Sequence, residues 1–303
     1  MKLARAVQEA RDVLGPRRHA GERIGLVPTM GALHEGHLSL VRRAATECDV
    51  VVVSIFVNPL QFAPTEDLAA YPRDLERDLG LLSPLGVHLV FHPDPAGFTP
   101  PGRRTTVTVS ALTAGLEAAS RPTHFDGVTT IVAKLLNVVG PDRAYFGEKD
   151  FQQLAVVRAM VQDLDAPVEI VGCPTVRDPD GLALSSRNAY LPPGQRQHAL
   201  ALSQALRDAA AQWDGDADHA RSVLVNTLGA APGLRLDYAE VVDPETLEPL
   251  EGVGDGPAQA LVAAYVGTTR LIDNCRLEPT GSGGTSFGGH GPDTEDTACS
   301  APS

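Results

Sequence analysis

Two histidines three positions apart, with a glycine between them, carry the clearest chemistry in this chain. They are His34, Gly36 and His37 in the run Pro28-Thr29-Met30-Gly31-Ala32-Leu33-His34-Glu35-Gly36-His37. Residues 23–27 before them, with Ile24, Leu26 and Val27 apolar, read as a strand, and the amphipathic residues 37–47 after them read as a helix. A helix start presents unpaired backbone N–H groups at the positive end of its dipole, which suits an anion such as phosphate. Gly36 clears a side chain from the approach, and imidazoles at i and i+3 share one helix face, so both can lean on the same oxygens. Two more loops that follow strands carry ligand-type residues, Asn58-Pro59-Leu60-Gln61-Phe62 and Gly147-Glu148-Lys149-Asp150.

The elements that must position these loops alternate. Strand-like runs at residues 23–27, 50–57, 87–91, 142–146 and 168–173 are separated by helical patterns at 37–47, 74–85, 128–139 and 151–163. That alternation predicts an α/β fold, a Rossmann-like doubly wound parallel sheet whose ligands sit beyond the carboxyl ends of the strands. The character changes near Pro192-Pro193-Gly194, after which come helices at 195–213 and 217–228 and strands at 234–242 and 258–266. The expected organisation is a nucleotide-binding domain over residues 1–177 and a smaller α+β domain over 178–278. Residues 279–303 are Gly/Ser/Thr-rich with almost no large apolar side chains, so a disordered tail is expected there.

Composition narrows the partners. A formal net charge of −13 argues against a nucleic-acid binder, which needs a dense basic surface. It also means that positive charge for an anionic ligand has to be concentrated locally. There is no apolar run of membrane-span length and no basic-then-apolar leader, so a cytoplasmic protein without a membrane partner is expected. Cys48, Cys173, Cys275 and Cys299 are scattered without metal spacing, which speaks against structural zinc or a disulfide framework. His88, His92, His198 and His219 read as surface or satisfied residues.

His-x-Gly-His between a strand and a helix resembles the signature of the nucleotidylyltransferases. Three further segments accompany it: Ser54-Ile55-Phe56-Val57-Asn58-Pro59-Leu60-Gln61-Phe62 with Tyr71-Pro72-Arg73-Asp74 downstream; Arg121-Pro122-Thr123-His124-Phe125-Asp126-Gly127-Val128 leading to Tyr145-Phe146-Gly147-Glu148-Lys149-Asp150-Phe151-Gln152-Gln153; and Val176-Arg177-Asp178-Pro179-Asp180-Gly181-Leu182-Ala183-Leu184-Ser185-Ser186-Arg187-Asn188. Together the four resemble the pantothenate synthetase (pantoate–β-alanine ligase) family over about residues 20–275.

The resemblance implies a two-step ligation. Pantoate attacks the α-phosphorus of Mg-ATP to give pantoyl adenylate and pyrophosphate, and β-alanine then displaces AMP. It places ATP on Met30, Gly31, Ala32, Leu33, His34, Glu35, Gly36 and His37, on Gly147, Glu148, Lys149 and Asp150, on Val176, and on Leu184, Ser185, Ser186 and Arg187. Pantoate falls on Gln61 and Gln153, β-alanine also on Gln61, and the proton-donor role on His37. His34, Lys149, Ser185, Ser186 and Arg187 complete the implied catalytic set. A homodimer and Mg²⁺ come with the resemblance; the direct metal ligands stay open, with Asp150 and Asp78 as outer-contact candidates.

The chemistry fits such residues. A carboxylate nucleophile is already ionised, since a carboxyl pKa lies at roughly 4, so the first step needs positioning and charge stabilisation rather than a base. β-Alanine arrives as an ammonium with a pKa of about 10 and must lose a proton, either to a histidine or as the free-amine fraction. Pro28, Met30, Phe62 and Phe146 are candidates for an apolar wall against the geminal methyls of pantoate, and residues 177–188 for a lid. Arg121 reads as structural or as an interface anchor. The alternative is another adenylyltransferase on the same scaffold, against which the paired glutamines speak; a non-catalytic ATP-binding module is the reading from another class.

Overall fold

The computed structural model describes residues 1–63, 68–69 and 71–278; the tail expected at 279–303 lies outside them. The first part of the chain runs β1 (Lys2–Ala4), α1 (Val7–His19), β2 (Ile24–Thr29), α2 (Glu35–Glu47), β3 (Val50–Ile55), α3 (Leu75–Leu82), β4 (Leu89–Phe91), α4 (Pro95–Phe98), α5 (Glu117–Ser120), α6 (His124–Val139), β5 (Arg143–Gly147), α7 (Phe151–Asp163) and β6 (Glu169–Cys173). Its six strands form one parallel sheet in the order β1-β4-β3-β2-β5-β6. Strand order reverses between β2 and β5, and a crevice opens at such a switch point beyond the carboxyl ends of the strands.

Burial on both faces explains the near-continuous apolar runs of the central strands. Leu26, Val52 and Phe91 point to one side, into a core shared with α1, α6 and α7. Their neighbours Val27, Val53 and Val90 point to the other, against Leu38, Val41 and Ala44 of α2. The sheet is thus doubly wound, as the alternation predicts.

The second part comprises α8 (Pro193–Ala211), α9 (Ala217–Ala230), β7 (Leu234–Val242), β8 (Ala258–Val266) and β9 (Thr269–Leu277). The three strands form an antiparallel sheet, β7-β8-β9, with α8 and α9 on one face around Leu202, Leu206, Leu224 and Val262. Its other face meets the larger part through Val242 and Leu261 against Leu112, Leu116 and Phe151.

Sequence patterning misses β1, α1 and β9, and starts the helix that begins at His124 four residues late. The expected helix at 74–85 is α3 followed by a 3₁₀ turn, Ser83–Leu85, forced by Pro84 and ended by Gly86 at φ +70°.

Candidate active site

The first loop turns sharply after β2. Gly31 has φ +84° and Ala32 has φ +51°, a left-handed pair in which the second residue is not glycine and carries strain. Asp78, 1% exposed on α3, holds this turn: its two oxygens accept from the N–H groups of Ala32 and Leu33, each at 2.9 Å. Burial pushes the Asp78 carboxyl up, and the two backbone bonds oppose that shift. Both oxygens face the loop, which fits an anchor rather than an outer metal contact.

His34 caps α2 in extended backbone, and its N–H donates to Nδ1 of His37 at 3.4 Å. Nδ1 of His37 therefore accepts, which assigns the proton of the neutral ring to Nε2. The two rings lie 4.1 Å apart, tilted by 41°. Burial, with the Lys149 charge adding to it, lowers the His34 pKa to about 4; burial, then the neighbouring His34, lowers that of His37 to about 3. Both imidazoles are neutral at pH 7, hydrogen-bond donors rather than cations. Nδ1 of His34 is buried without a partner among the described residues, an acceptor or donor kept in reserve for a ligand. A Cβ on Gly36 would meet the His34 ring at 3.0 Å, so the glycine makes room for that ring as well as for a ligand.

Across the switch point, β5 ends in the 3₁₀ turn Glu148–Asp150. Nζ of Lys149 lies 3.5 Å from Oδ1 of Asp150, with Lys149 largely buried and Asp150 half-exposed. Burial pushes the Asp150 carboxyl up, but Lys149 and Arg187 outweigh it and hold the group below the usual range, so it is ionised. The fourth segment folds as a short hairpin: Arg177 bridges Ala183, and the N–H of Leu184 donates to the carbonyl of Val176 at 3.0 Å. Ser185 then caps the 3₁₀ turn Ser186–Tyr190 by accepting from the N–H of Arg187, and Ser186 reaches the carbonyl of Ala32 at 3.4 Å.

Gln61 sits on the 3₁₀ turn Pro59–Gln61, and its amide is oriented. Nδ2 of Asn58 donates to its Oε1 at 2.9 Å and to the carbonyl of Gly127 at 3.0 Å, which leaves Nε2 of Gln61 as the outward donor. The Gln61 carbonyl is held in turn by Arg121 at 3.2 Å and His124 at 3.0 Å. Arg121 is thus a support of this turn. Gln152, 4% exposed, is spent on the backbone of Leu112, Gly115 and Glu117, whereas Gln153 lines the cleft.

These pieces surround one cleft of about 1290 Å³ including its open mouth. Of the expected ATP residues, Met30, His34, Gly36, His37, Gly147, Lys149, Asp150, Val176, Leu184, Ser185, Ser186 and Arg187 line it, together with Gln61 and Gln153. Gly31, Ala32, Leu33, Glu35 and Glu148 do not. The N–H groups of Gly31, Ala32 and Leu33 are taken by Thr29 and Asp78, and Glu35 pairs with Arg42 on the surface. The apolar wall contains Pro28, Met30 and Phe146 as expected, but Phe56 in place of Phe62, which instead meets Tyr71 edge-on at 5.9 Å. Tyr71 itself reaches the cleft. Among the described residues no group of three or more His, Cys, Asp or Glu is placed to hold a metal.

Sequence reasoning assigned no role to Asn58 or His124, although both stand inside the quoted segments; a short polar side chain before Pro and a histidine at a helix start were the available signals. His88 and His92 are satisfied by the backbone of Val51 and Ile55, and His219 by Asp214.

A family model for pantoate–β-alanine ligase matches residues 2–276. The chain belongs to the pantoate–β-alanine ligase family. A pantothenate synthetase of Acidobacterium capsulatum is 53% identical over 92% of this chain and 95% of its own length, and one of Moorella thermoacetica is 51% identical over 92% and 99%. The crystal structure of the Thermus thermophilus pantothenate synthetase superposes with a TM-score of 0.86 at 52% identity, covering 92% of this chain and all of that one. The Francisella tularensis pantoate–β-alanine ligase, solved with a β,γ-ATP compound and β-alanine, superposes at 0.75 with 34% identity over 91% and 98%. As a ligase of this family, the chain pairs a doubly wound parallel sheet with a small antiparallel sheet, and its fold superposes on the Thermus thermophilus structure over 92% of this chain.

Proposed function

We propose that the cleft at the β2–β5 switch point binds ATP and pantoate side by side and joins pantoate to β-alanine through a pantoyl adenylate. A carboxylate oxygen of pantoate attacks the α-phosphorus, and the bond to the bridging oxygen breaks to release pyrophosphate. The β-alanine nitrogen then attacks the acyl carbon and loses a proton, and the bond to AMP breaks to leave pantothenate.

The observation that carries this reading is that imidazoles, an ammonium, a guanidinium and three amides from four separate segments line one cleft. Nε2–H of His37 and the His34 ring donate to phosphate oxygens, while Lys149 and Arg187 supply the positive charge that the acidic chain as a whole lacks. Ser185 and Ser186 add neutral donors. Nε2 of Gln61, fixed by Asn58, and the side chain of Gln153 hold pantoate, whose methyls rest on Pro28, Met30 and Phe146.

Mg²⁺ fits the donor set in one place. Asp150 carries the one carboxylate lining the cleft among the described residues, and it is ionised and half-exposed. Asp150 and water would hold the cation, which would supply neutralisation of phosphate charge. The 177–188 segment closes over the acyl adenylate where a small domain, residues 178–278, begins. The enzyme works as a cytoplasmic homodimer, which sedimentation tests; among the described residues no helix is long and apolar enough to cross a membrane.

The deciding experiment is ATP–pyrophosphate exchange. Label enters ATP when pantoate is present and β-alanine is not; exchange that ignores pantoate refutes the reading and favours an adenylyltransferase with another acceptor.

A further inference from the structure

β9 carries two polar residues where a packed strand would carry apolar ones, Asp273 and Asn274, 4% and 6% exposed. Burying a carboxylate and an amide is costly unless both are fully engaged. Here they are, and each engagement leads to one of the two cation-bearing segments of the cleft.

Asp273 binds Arg177 through both oxygens, at 2.6 and 2.9 Å, with the two side chains 3% and 9% exposed. Arg177 stands at the root of the hairpin whose far arm delivers Leu184, Ser185, Ser186 and Arg187. Nδ2 of Asn274 donates to the carbonyls of Glu148 at 3.0 Å and Lys149 at 2.8 Å, gripping the turn from which the Lys149 side chain projects. Nε2 of Gln259 donates to Oδ1 of Asn274 at 2.8 Å, which settles which end of that amide is the donor. The N–H of Asn274 donates to Oδ1 of Asp273 at 2.8 Å and couples the two grips. Neither residue lines the ATP cleft. A buried ion pair adds little net stability over apolar side chains of the same volume, so a network of this kind is better suited to fixing geometry than to strengthening the fold.

We propose that Asp273 and Asn274 are positioning residues for the first half-reaction: from the small sheet they set the separation between the Lys149 turn and the Ser185–Ser186–Arg187 arm, so that ammonium and guanidinium meet one triphosphate. The inference rests on the assignment of the cleft to ATP made above. It also confines closure to the arm beyond Ala183, because the root at Arg177 stays with β9.

The test compares Asn274→Ala and Asp273→Asn with wild type and with Arg276→Ala, an exposed change on the same strand. Two half-reactions are followed: ATP–pyrophosphate exchange, and pantothenate formation from supplied pantoyl adenylate and β-alanine. Pantoate-dependent exchange by wild type and Arg276→Ala establishes the underlying reading; its absence refutes that reading whatever the variants do. With exchange in place, both variants raise KM for ATP by about tenfold and leave aminolysis of the supplied adenylate within about twofold. Equal losses in the two half-reactions, or an unchanged KM for ATP in a folded variant, overturn the proposal. If Asn274→Ala fails to fold, Asn274→Ser, which keeps one donor, is read by the same criteria alongside Asp273→Asn.

Discussion

Gly127→Ala is a one-methyl change with a large expected effect on pantoate and little on ATP. Gly127 lies in the first turn of α6, and a Cβ there would stand 2.4 Å from the carbonyl carbon and oxygen of Leu60 and 2.5 Å from the nitrogen of Gln61. Ordinary contact begins near 3.4 Å, so α6 and the Pro59–Gln61 turn have to separate by about 1 Å. The obstacles are backbone atoms, so no rotamer change relieves the clash. The displacement reaches Gln61, because Asn58 ties it to the Gly127 carbonyl and Arg121 and His124 tie it to the start of α6. Overpacking of this kind costs about 1–3 kcal/mol of stability. A misplacement of about 1 Å at a substrate-positioning group costs on the order of a hundredfold in rate. Exchange assays titrated with pantoate should show kcat/KM for pantoate down by about that factor. KM for ATP should change by no more than about threefold, since His34, His37 and Lys149 stand on other secondary-structure elements. A folded Gly127→Ala enzyme with wild-type kcat/KM for pantoate would refute the coupling between this contact and Gln61.

Other perturbations test other parts. His37→Ala and Lys149→Ala each remove one fixed donor from the phosphates and should lower the exchange rate by about a hundred- to a thousandfold, measured at saturating pantoate. Asp78→Asn leaves one of the two loop N–H groups facing an amide NH₂ instead of an oxygen; urea titration should show a loss of about 1–3 kcal/mol, and KM for ATP should rise. Both cleft histidines have folded pKa values below the unfolded one, so the unfolded chain binds more protons as pH falls from about 6.5 toward about 4. Stability is therefore full above pH 6.5 and declines through that window, by up to about 1.4 kcal/mol per pH unit for each histidine; His34→Gln should flatten the slope of urea midpoint against pH. Arg270→Met strips the guanidinium from Glu117, which it binds at 2.6 and 2.7 Å, leaving the Tyr238 hydroxyl on that carboxylate, and should cost about 3–5 kcal/mol in urea unfolding.

The loops that form the site were legible because their residue types are unusual and each follows an apolar run that only a buried strand explains. Val50-Val51-Val52-Val53 is such a run, and every residue of β3 is buried. β1 has three residues, too few for any pattern, and exists because it pairs with β4 from Lys2 to Ala4. In α1, Gly15 and Pro16 obscure the helical period near its end, yet the helix holds through Leu14 in the core. β9 was hidden by its own Asp273 and Asn274, whose reason for being buried lies in partners more than 90 residues away. Asn58 drew no role of its own and Asp78 only that of an outer metal contact, because their actual contacts exist only in the folded chain: Asn58 fixes the Gln61 amide, and Asp78 holds the N–H groups of Ala32 and Leu33.

The uncharged state of the two imidazoles has a consequence for selectivity in a crowded solution of small anions. A pocket crowded with permanent cations would be occupied by any phosphate or carboxylate that diffused in, and its products would leave slowly. In the proposed assignment directional dipoles would do much of the gripping, and among the described residues lining the cleft the charged side chains are Lys149 and Arg187 opposite Asp150. Shape and donor geometry then select the guest, and two spent anions are free to depart between turnovers.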